Sequence, residues 1–242
     1  MSSSLSISVI LPEDSAWNQV ETKICVDGQD LIGPEFDEGP RLDPEVLLGP
    51  DSPLLPEDEP REVMLAEAEC TWGCCGAVFV RISRDGDQIV WDEWRNPDSE
   101  LSLPEIRFDS AQYEAELARA DRERSWEWSG WTVARLLTSR LREEPSVLWQ
   151  WDSSLDWGRS RPDTRDHVDL AFTSPPRQVI TDRWRDSGEL IDYDQFLVRF
   201  QVSPELPGKQ VERIVEELRA SDPRKQAEVC GGYRAPRRSS VE

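Results

Sequence analysis

The residues best able to do chemistry stand close together: Cys70-Thr71-Trp72-Gly73-Cys74-Cys75-Gly76 puts three thiols within six residues. Ionised cysteine is both a nucleophile and a soft-metal ligand, and a tight turn at this point could gather the sulfurs around one ion. Zinc normally takes four such ligands in a tetrahedron. Cys230, just before Gly231-Gly232, could supply another, so the candidate metal ligands are Cys70, Cys74, Cys75 and Cys230. The Cys-x3-Cys-Cys spacing departs from the common Cys-x2-Cys knuckle, and adjacent cysteines rarely both point at one metal. Buried, inert thiols are the competing reading, because free cysteine is among the most buried residue types. Nothing in the flanking sequence obviously lowers a thiol pKa, which speaks against redox chemistry.

Other chemistry finds less support. His167 is the single histidine, in Asp166-His167-Val168-Asp169. A catalytic triad would need a nucleophile beside it, and no Gly-x-Ser-x-Gly elbow occurs; a strand-end histidine held by a neighbouring carboxylate is the ordinary expectation. Glu57-Asp58-Glu59 sits among prolines and reads as solvated. The phosphate-cradling patterns Gly-x-Gly-x-x-Gly and Gly-x4-Gly-Lys-Ser/Thr are both missing. Trp126, Trp128 and Trp131, and again Trp149, Trp151 and Trp157, suggest either aromatic binding platforms or core, and their match to the period of the surrounding elements favours core. The sequence therefore points to a non-catalytic protein.

These residues belong to a chain of 242 with Lys+Arg 28, Asp+Glu 49 and formal charge -21. That sign disfavours nucleic acid and anionic membranes and favours a basic protein partner. Eleven tryptophans argue for a folded core, each ring burying about 150–250 Å². The N-terminus has no basic region before its short apolar run, and no stretch reaches the ~20 apolar residues of a membrane span. A cytoplasmic protein is expected, and the odd count of five cysteines suits reduced thiols or a metal.

The elements follow from period and punctuation. Short strands are predicted on either side of the Asp27-Gly28 turn. Seven prolines from Pro34 to Pro60, Pro50 among them, with the Glu57-Asp58-Glu59 acids, predict a long surface loop over 34–60. A strand over 63–69 precedes a hairpin of 77–83 and 88–94. A two-residue Asp85-Gly86 turn there would set Ile82 opposite Ile89, Val80 opposite Trp91 and Ala77 opposite Trp94. Asp109 or Ser110 caps a long helix reaching about residue 142, with Gly130 as a point where it could kink or split. Val147, Trp149, Trp151, Leu155 and Trp157 share one parity and read as extended. So do Val168, Leu170 and Phe172, and Phe196, Val198, Phe200 and Val202. Between those last two runs, Pro175-Pro176 and the charged stretch to Gly188 read as loop. Val211, Ile214, Val215 and Leu218 mark a helix from Pro207, and Asp222-Pro223 starts a last short helix ending at Gly231-Gly232. The expected fold is α+β: antiparallel sheets packed on a long central helix, with a C-terminal helix. Its parts would be a mainly β region over 1–108, the helix over 109–144, a second β region with C-terminal helices over 145–232, and a flexible tail over 233–242 containing Arg234, Arg237 and Arg238.

Several stretches together resemble a bacterial protein family with no known activity. They are Asp27-Gly-Gln-Asp-Leu31, the Cys70/Cys74/Cys75 cluster, the Val90-Trp91 hairpin arm, the Gln112-Tyr113-Glu114 helix start, and Glu228-Val229-Cys230-Gly231-Gly232. The resemblance spans about Cys25 to Gly232 and implies no reaction. The leading expectation is a non-catalytic interaction protein of immunity or antitoxin type, whose acidic surface neutralises a basic partner. The alternatives are a zinc protein or metal-dependent enzyme built on the cysteines, and a small-molecule binder using tryptophan-lined sheets.

Overall fold

A computed structural model describes residues 2–49, 51–101 and 103–235; Pro50, Arg237 and Arg238 lie outside the described residues. The chain divides into two compact units, Met1–Trp126 and Glu127–Glu242. Both are α+β with antiparallel sheets.

The first unit begins with β1 (Leu5–Ile10), β2 (Glu21–Val26) and β3 (Gln29–Asp30), a three-stranded sheet in sequence order. The Asp27-Gly28 turn forms as expected, with Val26 opposite Gln29. A short helix α1 (Pro44–Leu47) interrupts the proline-rich stretch. Then come β4 (Arg61–Glu67), α2 (Trp72–Cys75), β5 (Ala77–Asp85), β6 (Gln88–Arg95) and β7 (Ile106–Asp109), a four-stranded meander, followed by α3 (Ser110–Arg122). β1 and β7 add to the expected strands: β1 alternates Leu5, Ile7 and Val9 with Ser6 and Ser8 before Pro12, and β7 is only four residues long.

Side chains of α3 close the outer edge of β1. Gln112 Oε1 accepts from the Leu5 amide at 3.3 Å and Gln112 Nε2 donates to the Leu5 carbonyl at 2.9 Å. One turn on, Glu116 Oε1 accepts from the Ile7 amide at 2.6 Å, and Arg119 donates to the Ile7 carbonyl at 2.5 Å. Four helical residues rise about 6 Å and two strand residues about 6.7 Å, so side chains one turn apart meet alternate residues of the strand. The core beneath is built round Trp91, whose indole N–H donates to Tyr113 Oη at 3.2 Å; that hydroxyl donates in turn to the Leu54 carbonyl at 2.7 Å. Phe108 and Trp94 pack edge-on against the Trp91 ring.

The β5–β6 hairpin has the predicted strands but a different register. Asp85 pairs with Gln88, so the two loop residues are Gly86 and Asp87, and Ile82 faces Trp91 rather than Ile89. Gly86 sits at φ 60° in the first loop position, where a type II′ turn needs glycine. Partners thus move by two residues, which preserves parity, so Val80, Ile82, Ile89 and Trp91 remain buried.

The proline-rich segment is no simple surface loop. Residues 38–42 bridge the two sheets: the Thr22 amide donates to the Leu42 carbonyl at 2.9 Å, the Leu42 amide to the Leu65 carbonyl at 2.9 Å, and the Glu67 amide to the Pro40 carbonyl at 3.2 Å. A bulge in β4 between Met64 and Ala66 leaves Leu65 free for this pairing. Arg41 anchors the bridge. Its amide donates to Glu21 Oε2 at 2.9 Å, and its guanidinium reaches the same oxygen at 3.3 Å and Asp30 Oδ2 at 2.6 Å. Leu47 and Leu54 are fully buried, so apolar residues between the prolines fold the segment inward.

The second unit runs α4 (Ser129–Glu143), α5 (Ser146–Trp149), β8 (Ser154–Arg159), β9 (His167–Ser174), α6 (Arg177–Ser187), β10 (Tyr193–Gln201), α7 (Pro207–Ala220) and β11 (Glu228–Tyr233). Its sheet has the order β11-β10-β9-β8. Leu170, Phe172, Val198 and Phe200 pack with Val133, Leu137 and Leu141 of α4 and Ile214, Val215 and Leu218 of α7.

Here the structure corrects four expectations. The helix over 109–144 is two helices, α3 and α4, one in each unit. The break falls at residues 123–128 rather than at Gly130, because local side chains take over the backbone there: Ser125 N–H donates to Glu123 Oε1 at 2.9 Å and Trp126 Nε1 to the Glu123 carbonyl at 2.9 Å. Glu127, its side chain 1% exposed, then binds Thr132 Oγ1 at 3.0 Å and Arg135 Nε at 2.7 Å and fixes the start of α4. Residues 146–149 are helical rather than extended; Trp149 is exposed, and Trp151 Nε1 donates to the Leu218 carbonyl at 2.7 Å. Residues 177–187 form α6, a helix with one buried side chain, Ile180, and hence no apolar period to read. Only Pro223–Lys225 make a 3₁₀ turn after Asp222, and Gly231-Gly232 lie within β11, whose pairing with β10 supplies the order that local sequence lacks.

Two consequences are measurable. Glu21 is 2% exposed, so Arg41→Ala would strand a buried carboxylate; an unfolding free energy lower by about 3–5 kcal/mol in urea titration is expected, and a loss under about 1 kcal/mol would show that Arg41 is not its essential partner. Asp43 caps α1 by accepting from the Glu45 amide at 2.7 Å, and burial pushes its carboxyl from 3.8 up to about 6. A raised native pKa contributes stability that is full below pH about 4 and is lost as the pH rises through about 6. Asp43→Asn keeps a capping oxygen and should flatten the change in urea midpoint over that window; identical pH profiles for the two proteins would refute the raised value.

Candidate metal centre

The cysteine turn joins β4 to β5 and is held at both ends. The Ala68 amide donates to the Gly76 carbonyl at 3.1 Å, closing the loop at its neck. On the entry side, the Glu69 amide donates to the Glu38 carbonyl at 3.1 Å, so the bridge segment of residues 38–42 also sets the direction in which the chain reaches Cys70. Gly39 permits that approach: a Cβ there would stand 2.1 Å from the Glu67 carbonyl oxygen. On the exit side Gly76, at φ 92°, leaves room for the buried Asn96, whose Oδ1 would lie 2.2 Å from a Cβ.

Thr71 organises the residues between. Its backbone is extended, its Oγ1 accepts from the Gly73 amide at 3.1 Å, and its carbonyl accepts from the amides of Cys74 at 3.0 Å and Cys75 at 3.2 Å. This N-cap is a threonine at the head of a short turn, a pattern readable from sequence once a helix is suspected. The single turn of α2 swings Cys74 and Cys75 back toward Cys70.

The sulfurs of Cys70, Cys74 and Cys75 all lie within 4.8 Å of one another, and they form a group that could hold a metal ion. Cys75 Sγ is 3.6 Å from Cys74 Sγ. Sulfurs bound to one tetrahedral zinc at about 2.3 Å stand about 3.8 Å apart, so small side-chain rotations suffice. The adjacent pair does point one way, contrary to what its spacing suggested. Cys70 and Cys74 are exposed and Cys75 half-buried, so these are not inert core thiols.

The thiols also tune one another, an effect the flanking sequence did not disclose. A hydrogen bond from Cys75, outweighing partial desolvation and helped by contacts at Thr71 and Cys74, holds the Cys70 thiol below its ordinary range. Cys75 is pushed up to about 12 because it keeps its proton between Cys70 and Cys74, with desolvation adding to the effect. A bound cation would replace that shared proton, since coordination requires thiolates.

The fourth predicted ligand belongs to the second unit. Cys230 lies on β11 of the second unit, where its thiol donates to the Gln195 carbonyl at 3.5 Å. Cys25 is half-buried on β2. His167 stands 2.9 Å from Asp166 Oδ1 at the start of β9, and that hydrogen bond holds the Asp166 carboxyl below its usual range. Glu57, Asp58 and Glu59 are exposed, Glu57 paired with Arg61. The tryptophans of the second unit do not share a platform. Trp157 lies under the Arg159 guanidinium at 4.2 Å, Trp128 binds Ser160 Oγ at 2.9 Å and meets Trp131 edge-on, and Trp149 faces solvent. No helix among the described residues is long and apolar enough to cross a membrane. No protein-family model, curated protein or solved structure matches this chain.

Proposed function

We propose that this protein binds a soft metal ion, zinc foremost, at an open three-thiolate site made by Cys70, Cys74 and Cys75. The carrying observation is the convergence of the three sulfurs within 4.8 Å on an exposed turn. Closed, four-ligand sites are structural, whereas three protein ligands leave a position for water, a substrate or a partner's side chain. An exposed site with such a position suits an ion that is exchanged or used, rather than one sealed in a core. Cys230 stays outside this reading.

Purified under reducing conditions with zinc supplied, the protein should retain about one ion per chain by elemental analysis, and less than ~0.2 per chain would overturn the proposal. Cys70→Ser and Cys74→Ser should each lower affinity at least tenfold, while Cys230→Ser leaves it unchanged.

A second reading, favoured by a separate observation, is an interaction protein that neutralises a basic partner in the manner of an immunity protein or antitoxin. Residues 34–60 carry nine acids against Arg41 alone. Glu35, Asp37, Glu38, Glu57, Asp58 and Glu59 among them are exposed, while Arg41 is spent on Glu21 and Asp30. Charge pairing at such a surface is screened at high ionic strength. A basic protein should be captured from the native host at low salt and lost at about 0.5 M salt; capture indifferent to salt, or none, would dismiss this role.

A further inference from the structure

The same turn supports a second chemistry that needs no ion. We propose that Cys70, Cys74 and Cys75 form a reversible thiol switch in which Cys70 is one half of the disulfide that forms. The inference shares the sulfur cluster with the metal reading but not its dependence on zinc.

Three sulfurs offer three pairings, and the backbone removes one. A Cys74–Cys75 disulfide closes an eight-membered ring through their common peptide bond, which favours a cis form that non-proline residues rarely adopt. Both residues are meanwhile held in the turn of α2, their amides donating hydrogen bonds to the Thr71 carbonyl. Cys70 precedes that turn, and only its thiol, 3.7 Å from the Thr71 carbonyl, touches the turn's hydrogen bonds, so side-chain rotation can close the distance from at most 4.8 Å to the ~2.05 Å of a disulfide. Cys70 and Cys74 are exposed, so an oxidant reaches them without local unfolding. Of the other two thiols, Cys230 is exposed on β11 with its Sγ 3.5 Å from the Gln195 carbonyl and Cys25 is half-buried on β2, and neither belongs to the group of three.

The oxidant is a hydroperoxide. One cysteine sulfur attacks the peroxide oxygen, the O–O bond breaks, and the sulfur becomes a sulfenic acid as water leaves. A second thiol attacks that sulfur, the S–O bond breaks, and a second water carries away the oxygen and the remaining proton. Two thiols and one hydrogen peroxide thus give one disulfide and two waters, and a dithiol restores the two protein thiols by exchange, itself becoming a disulfide. Because a disulfide consumes two of three ligands, one thiolate remains, too few to hold an ion. Oxidation and metal retention would exclude each other.

The test uses the full chain, reduced and stripped of metal, treated with equimolar hydrogen peroxide. Two of the five free thiols should disappear, intact mass should fall by two hydrogens, and peptide mapping should find Cys70 joined to Cys74 or Cys75. Reductant should restore all five. Cys70→Ser should abolish the intrachain disulfide, while Cys25→Ser and Cys230→Ser preserve it. A Cys74–Cys75 disulfide, a dimer linked through Cys230, sulfinic acid with no disulfide, or no loss of thiols would each overturn the proposal. A parallel sample loaded with one zinc per chain separates the two ideas. Disulfide formation in a chain that holds no zinc defeats the metal reading alone, and zinc binding without disulfide formation defeats this one alone.

Discussion

The Arg41 guanidinium, set between the buried Glu21 and the half-buried Asp30, is the interaction on which the first unit depends. A carboxylate removed from water needs a counter-charge and hydrogen bonds to offset its lost hydration. Glu21 has both, with the Ser15 hydroxyl donating to its other oxygen at 2.5 Å. Because Arg41 belongs to neither sheet, satisfying Glu21 draws the proline-rich segment between them. The backbone of residues 38–42 then serves as an irregular strand shared by β2 and β4. The last link of that seam is the Glu38 carbonyl, which directs the chain into the cysteine turn. An ion pair some thirty residues earlier in sequence therefore helps to position Cys70.

The turn itself shows how little secondary structure a candidate ligand set requires. One threonine cap, one helical turn and two glycines at points of close approach bring three sulfurs together. No disulfide holds them and no hydrophobic core encloses them. Exposure makes the site accessible to ions and oxidants alike, and hydrogen bonding among the sulfurs shifts Cys70 and Cys75 in opposite directions although they are the same residue type.

What could be read in the sequence was whatever a local rule decides. Period-two alternation located β5, β6, β9 and β10, the i, i+3, i+4, i+7 stripe located α7, and Asp109 located the start of α3, where its carboxylate accepts from the Gln112 amide at 2.9 Å. The proximity of the three cysteines was legible from their spacing, but their exposure and convergence were not, since both come from Thr71 and from the seam beside Glu69. The hairpin register slipped by two because apolar pairing is nearly degenerate under a shift that preserves parity, and Gly86 rather than the hydrophobic pattern selects between the alternatives. Helix α6 left no stripe because it buries one residue. The break between α3 and α4 hides in Glu123, Ser125 and Glu127, whose side chains compete with helical hydrogen bonding only in the folded geometry. Prolines, read as a signal of exposure, instead punctuate a segment in which Leu47, Leu48 and Leu54 are buried.

The meeting of α3 and β1 limits how this chain can vary. Gln112, Glu116 and Arg119 act as rungs because helical rise per turn nearly equals the repeat of an extended strand, so Leu5 and Ile7 of the edge are covered by side chains rather than by another strand and offer no ladder there to a neighbouring molecule. Substitution can exchange one polar rung for another of similar reach. A single inserted residue between Gln112 and Arg119 would instead rotate every later rung by about 100° and turn them away from the strand. Within this helix, length is therefore more tightly constrained than composition, and the spacing of polar residues along its surface carries information usually attributed to a buried core.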